Sequence, residues 1–117
     1  YKGIPLASVV ATKFFEATKK NIPLAFDRKE EKRHGEGGII IGNLERKKVL
    51  LIDDVLTAGT AIKNSINIIE SNKGTFVGAL VALDREESYD SDKTFQEFYA
   101  EQGIKIHSLA KISDLKK

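Results

Sequence analysis

Residues 49 to 61 read Val-Leu-Leu-Ile-Asp-Asp-Val-Leu-Thr-Ala-Gly-Thr-Ala, and this stretch decides the fold class. The apolar run 49–52 ends abruptly at Asp53 and Asp54, which is typical of a strand buried on both faces within a parallel sheet. Residues 60–71 follow with isoleucines spaced four and three residues apart, and this spacing predicts a helix with one apolar face. A strand, a short loop and a helix in this order begin a unit of parallel β-sheet.

The rest of the chain continues the same alternation of strands and helices. The predicted elements are a helix over 5–20, strands over 22–26, 39–41 and 76–83, a weak helix within 90–102, a strand over 104–109 and the start of a helix over 112–117. A charged, glycine-rich loop occupies 28–38, and residues 72–74 are a helix stop. The pattern therefore predicts an α/β fold with a mainly parallel, twisted sheet flanked by helices.

Composition narrows the possible functions. The 117 residues are 41% hydrophobic and carry a net charge of +2, so the chain can form a core and has no electrostatic reason to bind nucleic acid or an anionic membrane. No apolar run approaches the ~18 residues of a membrane span. The absence of cysteine excludes disulfides, thiolate metal sites and a cysteine nucleophile. The sequence contains neither a Walker A loop nor a G-x-G-x-x-G dinucleotide fingerprint.

The acidic pair and the loop behind it predict a binding site for a phosphorylated sugar. In open α/β sheets, ligands bind beyond the carboxyl ends of strands, where Asp53 and Asp54 are predicted to lie. The N–H groups at the following helix start can bind a phosphate, Gly59 permits close approach, and the Thr57 and Thr60 hydroxyls can donate to it. Carboxylates accept hydrogen bonds, which suits the hydroxyl pair of a ribose. Taken separately, the aspartates could merely end a strand and Thr60 could merely cap the helix, but the complete pattern favours the sugar phosphate.

Residues 49 to 61 closely resemble the signature for 5-phosphoribosyl 1-pyrophosphate (PRPP) of the type I phosphoribosyltransferases. Three further segments resemble orotate phosphoribosyltransferases in their order and approximate spacing: Tyr-Lys-Gly-Ile-Pro-Leu at 1–6, Arg-Lys-Glu-Glu-Lys-Arg-His-Gly-Glu-Gly-Gly at 28–38 and Leu-Asp-Arg-Glu at 83–86. The PRPP signature alone indicates the superfamily, whereas the first two of these segments point to orotate. The resemblance covers most of the chain.

The resemblance assigns roles to individual residues. Those implied to bind PRPP are Tyr1, Lys2, Arg28, Lys29, Lys32, His34, Asp53, Asp54, Val55, Leu56, Thr57, Ala58, Gly59, Thr60 and Ala61. Those implied to bind orotate are Thr57 and Arg85, and the implied catalytic residues are Lys32, His34, Asp53 and Asp54. Residues 28–38 would form a mobile lid whose cations contact the pyrophosphate, whereas a charged loop by itself is usually just solvated. Arg85 could also simply pair with Asp84 or Glu86.

The reaction implied by the resemblance joins orotate to the ribose of PRPP and releases pyrophosphate, giving orotidine 5′-monophosphate for UMP biosynthesis. The family uses Mg²⁺ that is carried mainly by PRPP and not by a metal site of the protein. The resemblance also implies a cytoplasmic homodimer that shares the lid across its interface, without a nucleic acid or membrane partner. Because methionine is absent, we expect the chain to begin at a cut within a larger protein. The resemblance implies that residues 1–117 are a phosphoribosyltransferase core domain that is incomplete at both ends and lacks the family's N-terminal hood.

Three other classes of protein remain open from the sequence. A phosphoribosyltransferase for a purine base would share residues 53–60 without needing Arg85. A regulatory module that binds PRPP would keep the same residues and lack the chemistry, although the cations of 28–38 argue against it. A phosphoacceptor receiver domain also carries paired aspartates, but the residues at the ends of the later strands do not match its pattern.

Overall fold

The computed structural model describes residues 1–28 and 39–115. Its elements are, in chain order, α1 (Ile4–Thr18), β1 (Phe26–Arg28), β2 (Ile39–Ile41), β3 (Lys48–Leu56), α2 (Thr60–Ser71), β4 (Thr75–Asp84), α3 (Phe95–Glu101), β5 (Ile106–Lys111) and α4 (Ile112–Leu115). The predictions of strand 39–41 and helix 60–71 are confirmed, and the other predicted helices are present with shifted ends. None of the helices in this part of the chain is long and apolar enough to cross a membrane.

Among the described residues, the central sheet has three parallel strands in the order β3-β4-β5, so the prediction of a mainly parallel sheet is confirmed. Leu56 pairs with Asp84, and Asp84 pairs with Lys111, so the carboxyl ends of all three strands lie at one edge. The helices α1, α2 and α3 pack against these strands. β1 and β2 form a separate antiparallel pair in which Arg28 is opposite Ile39.

The hydrophobic core lies between the sheet and the helices α2 and α3. Its buried members are Leu56, Ile62, Ala79, Val81, Tyr99 and Ile106. Each of β3, α2, β4, α3 and β5 contributes at least one of these side chains, so burial of apolar surface holds the βαβ units together. α1 contributes no buried residue. Its start approaches β3 closely because Gly3 has no side chain.

The prediction that 49–52 is buried on both faces and ends at the aspartates is wrong in two respects. Leu50 is 51% exposed, because the elements that pack on β3 in the described part of the chain leave part of the face that carries this side chain uncovered. The strand also continues through both aspartates to Leu56, because β4 runs beside it as far as Asp84 and extends the hydrogen-bonded ladder.

The prediction of a strand over 22–26 is also wrong, since the strand there begins only at Phe26 and runs to Arg28. Pro23 has no N–H to donate to a ladder, and both Ile22 and Leu24 are more than 40% exposed. The strand predicted over 104–109 starts two residues later, at Ile106. Ile104 instead donates its N–H to the carbonyl of Tyr99 and thereby closes the end of α3.

Candidate functional site

The carboxyl edge of the sheet brings together the two loops that the sequence singled out. Leu56 is the last residue of β3 and Asp84 is the last residue of β4, and the two are paired. The backbone N–H of Arg85 donates to the Leu56 carbonyl at 3.1 Å. Thr57 and Arg85 therefore leave neighbouring strands at the same point, as expected for a site at the carboxyl ends of a parallel sheet.

Gly59 shapes the loop between β3 and α2. It is the N-cap residue of α2 and adopts φ 78°, in the left-handed region. A Cβ at this position would lie 2.7 Å from Phe95 Cδ1 and 3.0 Å from Tyr99 Cε2. Position 59 therefore requires glycine both for its backbone conformation and for the space above it.

The first turn of α2 presents backbone N–H groups to a ligand. No side chain caps this helix, so the suggestion that Thr60 caps it is wrong: Gly59 occupies the cap position and Thr60 is the first helical residue. Thr60 and Ala61 are exposed, as is Ala58 in the loop. Uncapped N–H groups at the positive end of the helix dipole are suited to binding a phosphate.

The acidic pair is half-buried at the end of β3. The Asp54 N–H donates to the Asp53 carboxylate at 2.8 Å, and the Val55 N–H donates to the Asp54 carboxylate at 2.9 Å. Burial raises the pKa of Asp53; the hydrogen bond from the Asp54 N–H counteracts this, and the neighbouring Asp54 carboxylate adds to it. Two carboxylates held this close favour a ligand that brings hydrogen-bond donors or positive charge.

The start of α1 lies directly beside Asp53. Gly3 is buried, and a Cβ there would lie 2.6 Å from the Ile52 carbonyl oxygen and 3.1 Å from the Asp53 Cα. This close approach places Tyr1 and Lys2 next to the acidic pair, and both are exposed. The structure thus brings the 1–6 segment and residues 53–61 into one region, although they are distant in the chain.

A cleft of about 1310 Å³ extends along β3 from this region. Tyr1, Gly3 and Asp53 line one part of it, together with mainly apolar residues of α1, β3 and α2. Asp54, Thr57 and Arg85 are outside its lining, so the cleft borders the site at the carboxyl edge without containing it.

Of the remaining residues predicted for the site, the structure describes Arg85 and Arg28, and the others lie outside the described residues. The Arg85 side chain is 55% exposed, and its Nη1 atom lies 3.6 Å from Glu87 Oε1, so its ion partner is Glu87 and not Asp84 or Glu86. Arg28 is exposed at the end of β1. Lys29, Lys32 and His34 lie outside the described residues.

Two supporting residues were missed by the sequence analysis. Asp84 is only 2% exposed, and its carboxylate accepts the N–H of Glu86 at 2.7 Å, which forms the turn that carries Arg85. Tyr99 lies within the weak helix predicted in 90–102, and its hydroxyl donates to the Gly59 carbonyl at 2.8 Å. A tyrosine among phenylalanines on a core-facing helix was the available signal, because a buried hydroxyl needs a partner.

The comparisons with known proteins agree with this fold. Residues 1–108 match the family described as Phosphoribosyl transferase domain. Since the match covers most of the chain, the chain belongs to the phosphoribosyltransferase domain family.

Within that family the chain is similar to orotate phosphoribosyltransferases, which confirms the resemblance seen in the sequence. It is 42% identical over 116 residues to the enzyme of Salmonella paratyphi A, covering 98% of this chain and 54% of that protein. The solved structure of the Francisella tularensis enzyme matches with a TM-score of 0.77 at 31% identity, over 98% of this chain and 52% of the other. The enzyme of Aeropyrum pernix gives 0.72 at 32% identity, over 97% and 58%. The chain spans about half the length of these relatives.

Proposed function

We propose that the protein carrying this chain transfers the 5-phosphoribosyl group from PRPP to orotate, giving orotidine 5′-monophosphate and pyrophosphate. The observation that carries the proposal is the meeting of three features at one sheet edge: the acidic pair, the uncapped start of α2 behind Gly59, and Arg85. The 42% identity to an orotate phosphoribosyltransferase supports this choice of substrates. A phosphoribosyltransferase for a purine base would explain the first two features and leave Arg85 without a role.

The sugar phosphate is proposed to bind along residues 53–61. The 5-phosphate lies at the N–H groups of Thr60 and Ala61, where the helix dipole attracts negative charge. The Asp53 and Asp54 carboxylates accept hydrogen bonds from the ribose hydroxyls. These donors also relieve the raised proton affinity of Asp53, because they replace the water lost on burial.

Orotate is proposed to bind at Arg85 and Thr57, next to the ribose. A guanidinium can bind a planar carboxylate through two parallel hydrogen bonds, which an ammonium cannot do. The Arg85 guanidinium already lies beside a carboxylate, that of Glu87, at a half-exposed position. The carboxylate of orotate would replace Glu87 as the ion partner of Arg85. This exchange would cost little free energy, because exposed ion pairs contribute weakly to stability.

The reaction breaks the bond between the anomeric carbon and the pyrophosphate oxygen, and the electron pair leaves with the pyrophosphate. A ring nitrogen of orotate, whose N–H proton is released to water or to the departing pyrophosphate, forms the new bond to the same carbon. Asp53 and Asp54 stabilise the positive charge that develops on the ribose. Tyr1, Lys2, Arg28, Lys29, Lys32 and His34 are proposed to hold the pyrophosphate. The chemistry needs no covalent nucleophile, so positioning and electrostatics are the protein's contribution.

Mg²⁺ is proposed to bind together with PRPP. When bound, it neutralises charge on the pyrophosphate. Within residues 1–28 and 39–115, no group of three or more acidic or histidine side chains is placed to hold a metal. Magnesium typically keeps water and substrate phosphate oxygens among its ligands, and PRPP offers such oxygens. The acidic pair offers hard oxygen donors beside that position and is compatible with a cation carried by the substrate.

We also propose that residues 1–117 are a core domain of a cytoplasmic homodimer, with Lys32 and His34 serving the neighbouring subunit's site. α1 supports an interface because it exposes large apolar side chains: Val9 is 56% exposed, Phe14 37% and Phe15 42%. Large apolar side chains exposed on one helix are compatible with a partner that covers part of it.

The proposal is tested by adding orotate, PRPP and Mg²⁺ to the natural full-length protein and following the loss of orotate absorbance. We expect turnover with orotate and none with adenine or hypoxanthine. The double variant Asp53→Asn/Asp54→Asn is the matched negative control because it keeps the size of both side chains. Turnover with a purine base would replace orotate in the proposal, and PRPP binding without turnover on any base would indicate a regulatory module.

A further inference from the structure

The hydroxyl of Tyr99 donates a buried hydrogen bond to the carbonyl oxygen of Gly59 at 2.8 Å, linking α3 to the loop before α2. We propose that Tyr99 is a positioning residue that aims the backbone N–H groups of this loop at the phosphate of the substrate. The inference rests on the proposed function, since it assumes that the 57–61 loop binds a phosphate. The sequence predicts only a weak helix in the region of α3 and assigns none of its residues to the site.

Peptide geometry explains how Tyr99 would act. The described residues contain no cis peptide bonds. In a trans peptide the C=O and N–H groups point in opposite directions. The Gly59 carbonyl is held by two donors, the Tyr99 hydroxyl at 2.8 Å and the Lys63 N–H at 3.1 Å. Fixing this carbonyl toward the interior therefore directs the N–H of Thr60 outward, to the side where a ligand arrives.

Packing of two aromatic rings also restrains the peptide between Gly59 and Thr60. The rings of Phe95 and Tyr99 occupy the space where a side chain at position 59 would be, at 2.7 and 3.0 Å from an ideal Cβ. Tyr99 is 6% exposed, and burial raises the pKa of its hydroxyl, so the group stays protonated and able to donate. The loop is thus held before the ligand binds, which lowers the entropic cost of binding.

The helix that carries Tyr99 is itself firmly anchored. Thr94 and Glu97 form a reciprocal capping box at its start. Gln96 Nε2 donates to the Ile106 carbonyl of β5 at 3.0 Å, and the Ile104 N–H donates to the Tyr99 carbonyl at 3.0 Å. Contacts at both ends of α3 therefore transmit the rigidity of the sheet to the hydroxyl of Tyr99.

The test is Tyr99→Phe in the natural full-length protein, because this change removes the hydroxyl and keeps the ring. We expect the dissociation constant of PRPP with Mg²⁺, measured by calorimetry, to rise about three- to tenfold, with a matching rise in KM for PRPP. The turnover at saturating PRPP and the KM for orotate should change by less than about twofold, since the contacts of Arg85 are untouched. Tyr89→Phe is the matched control: Tyr89 stacks on Phe98 at 3.9 Å in the same aromatic group and is 47% exposed.

A general loss of stability is separated from positioning by two further measurements. Ile66→Val, which trims the core on α2, gives a comparison variant of lowered melting temperature that should keep the wild-type affinity for PRPP. Amide hydrogen exchange of ligand-free protein should show faster exchange at residues 57–61 in Tyr99→Phe alone. Unchanged exchange and unchanged PRPP affinity in Tyr99→Phe would overturn the inference, as would an equal loss of affinity in Ile66→Val. Wild-type protein that fails to bind PRPP would refute the proposed function itself, and with it the role assigned to Tyr99, even where the exchange result holds.

Discussion

Arg85 and Leu56 are joined by a backbone hydrogen bond of 3.1 Å, in which the N–H of Arg85 donates across from β4 to the end of β3. This bond continues the ladder one step beyond the paired residues Leu56 and Asp84. It sets the distance between the loop proposed to bind the phosphate and the side chain proposed to bind orotate. The two substrates would therefore be aligned by the register of the sheet, which is more rigid than either loop.

Replacing Arg85 by lysine should weaken orotate binding selectively. Lysine keeps the charge but cannot form two parallel hydrogen bonds to a carboxylate. We expect KM for orotate to rise roughly tenfold to 100-fold, since hydrogen bonds to charged groups contribute about 1.5–3 kcal/mol. Calorimetry should find the affinity for PRPP unchanged. An unchanged KM for orotate in Arg85→Lys would show that the carboxylate is bound elsewhere.

Replacing Gly59 by alanine should disrupt the loop for two separable reasons. A non-glycine residue in the left-handed region costs about 1–2 kcal/mol, and the added Cβ would also lie 2.7 Å from Phe95. Gly103→Ala is the matched control because Gly103 has φ 79° and open space around its Cβ position. Urea denaturation should show a larger loss of stability for Gly59→Ala than for Gly103→Ala, and PRPP affinity should fall in the first variant alone. Equal losses of stability in the two variants would mean that the Phe95 side chain moves aside at little energetic cost.

Replacing Asp53 by asparagine should stabilise the protein while reducing its activity. Burial raises the pKa of Asp53 in the folded state, so folding takes up a proton and the ionised form lowers stability at neutral pH. The gain in melting temperature should be largest near pH 7, shrink as the pH falls through the raised pKa, and vanish below the unfolded value of about 3.9. Thermal unfolding at several pH values checks this. A gain in melting temperature that grows toward acid pH would show that folding lowers the pKa of Asp53 instead of raising it.

Replacing Lys32 by alanine should reduce turnover strongly and leave folding intact. The resemblance implies that this cation contacts the leaving pyrophosphate, and removal of one preorganised charge of this kind commonly costs about 10²–10³ in rate. Lys105→Ala is a suitable control, because Lys105 is exposed just before β5 and its replacement removes the same charge from another region. Steady-state kinetics of both full-length variants give the comparison. Equal kcat in the wild type and Lys32→Ala would remove Lys32 from the catalytic residues.

The sequence predicts the local part of this site well and its long-range part poorly. The presence of a strand, a loop and α2 follows from residues 49–71 because apolar runs, glycine and helical spacing act over a few neighbouring residues, whereas the burial and the end of the strand do not. The shared edge with Arg85 follows from the rule that parallel strands end together. The bond between Tyr99 and Gly59 could not be predicted, because periodicity identifies a buried face but not the partner of a hydroxyl on it. Likewise, nothing local showed that Asp84 would be buried and form the turn before Arg85.

The contact between Phe95 and the empty Cβ position of Gly59 makes substitutions at the two sites interdependent. With the Phe95 ring in place, any side chain at 59 meets both a steric and a conformational penalty. A small residue at 95 relieves the shorter contact and leaves the 3.0 Å contact with Tyr99 and the conformational penalty. Gly59→Ala should accordingly be less harmful in a Phe95→Ala background than alone, a case of positive epistasis. Mutational libraries of this domain would then show tolerance at position 59 that depends on a residue 36 positions away in the chain, with glycine still preferred in every background.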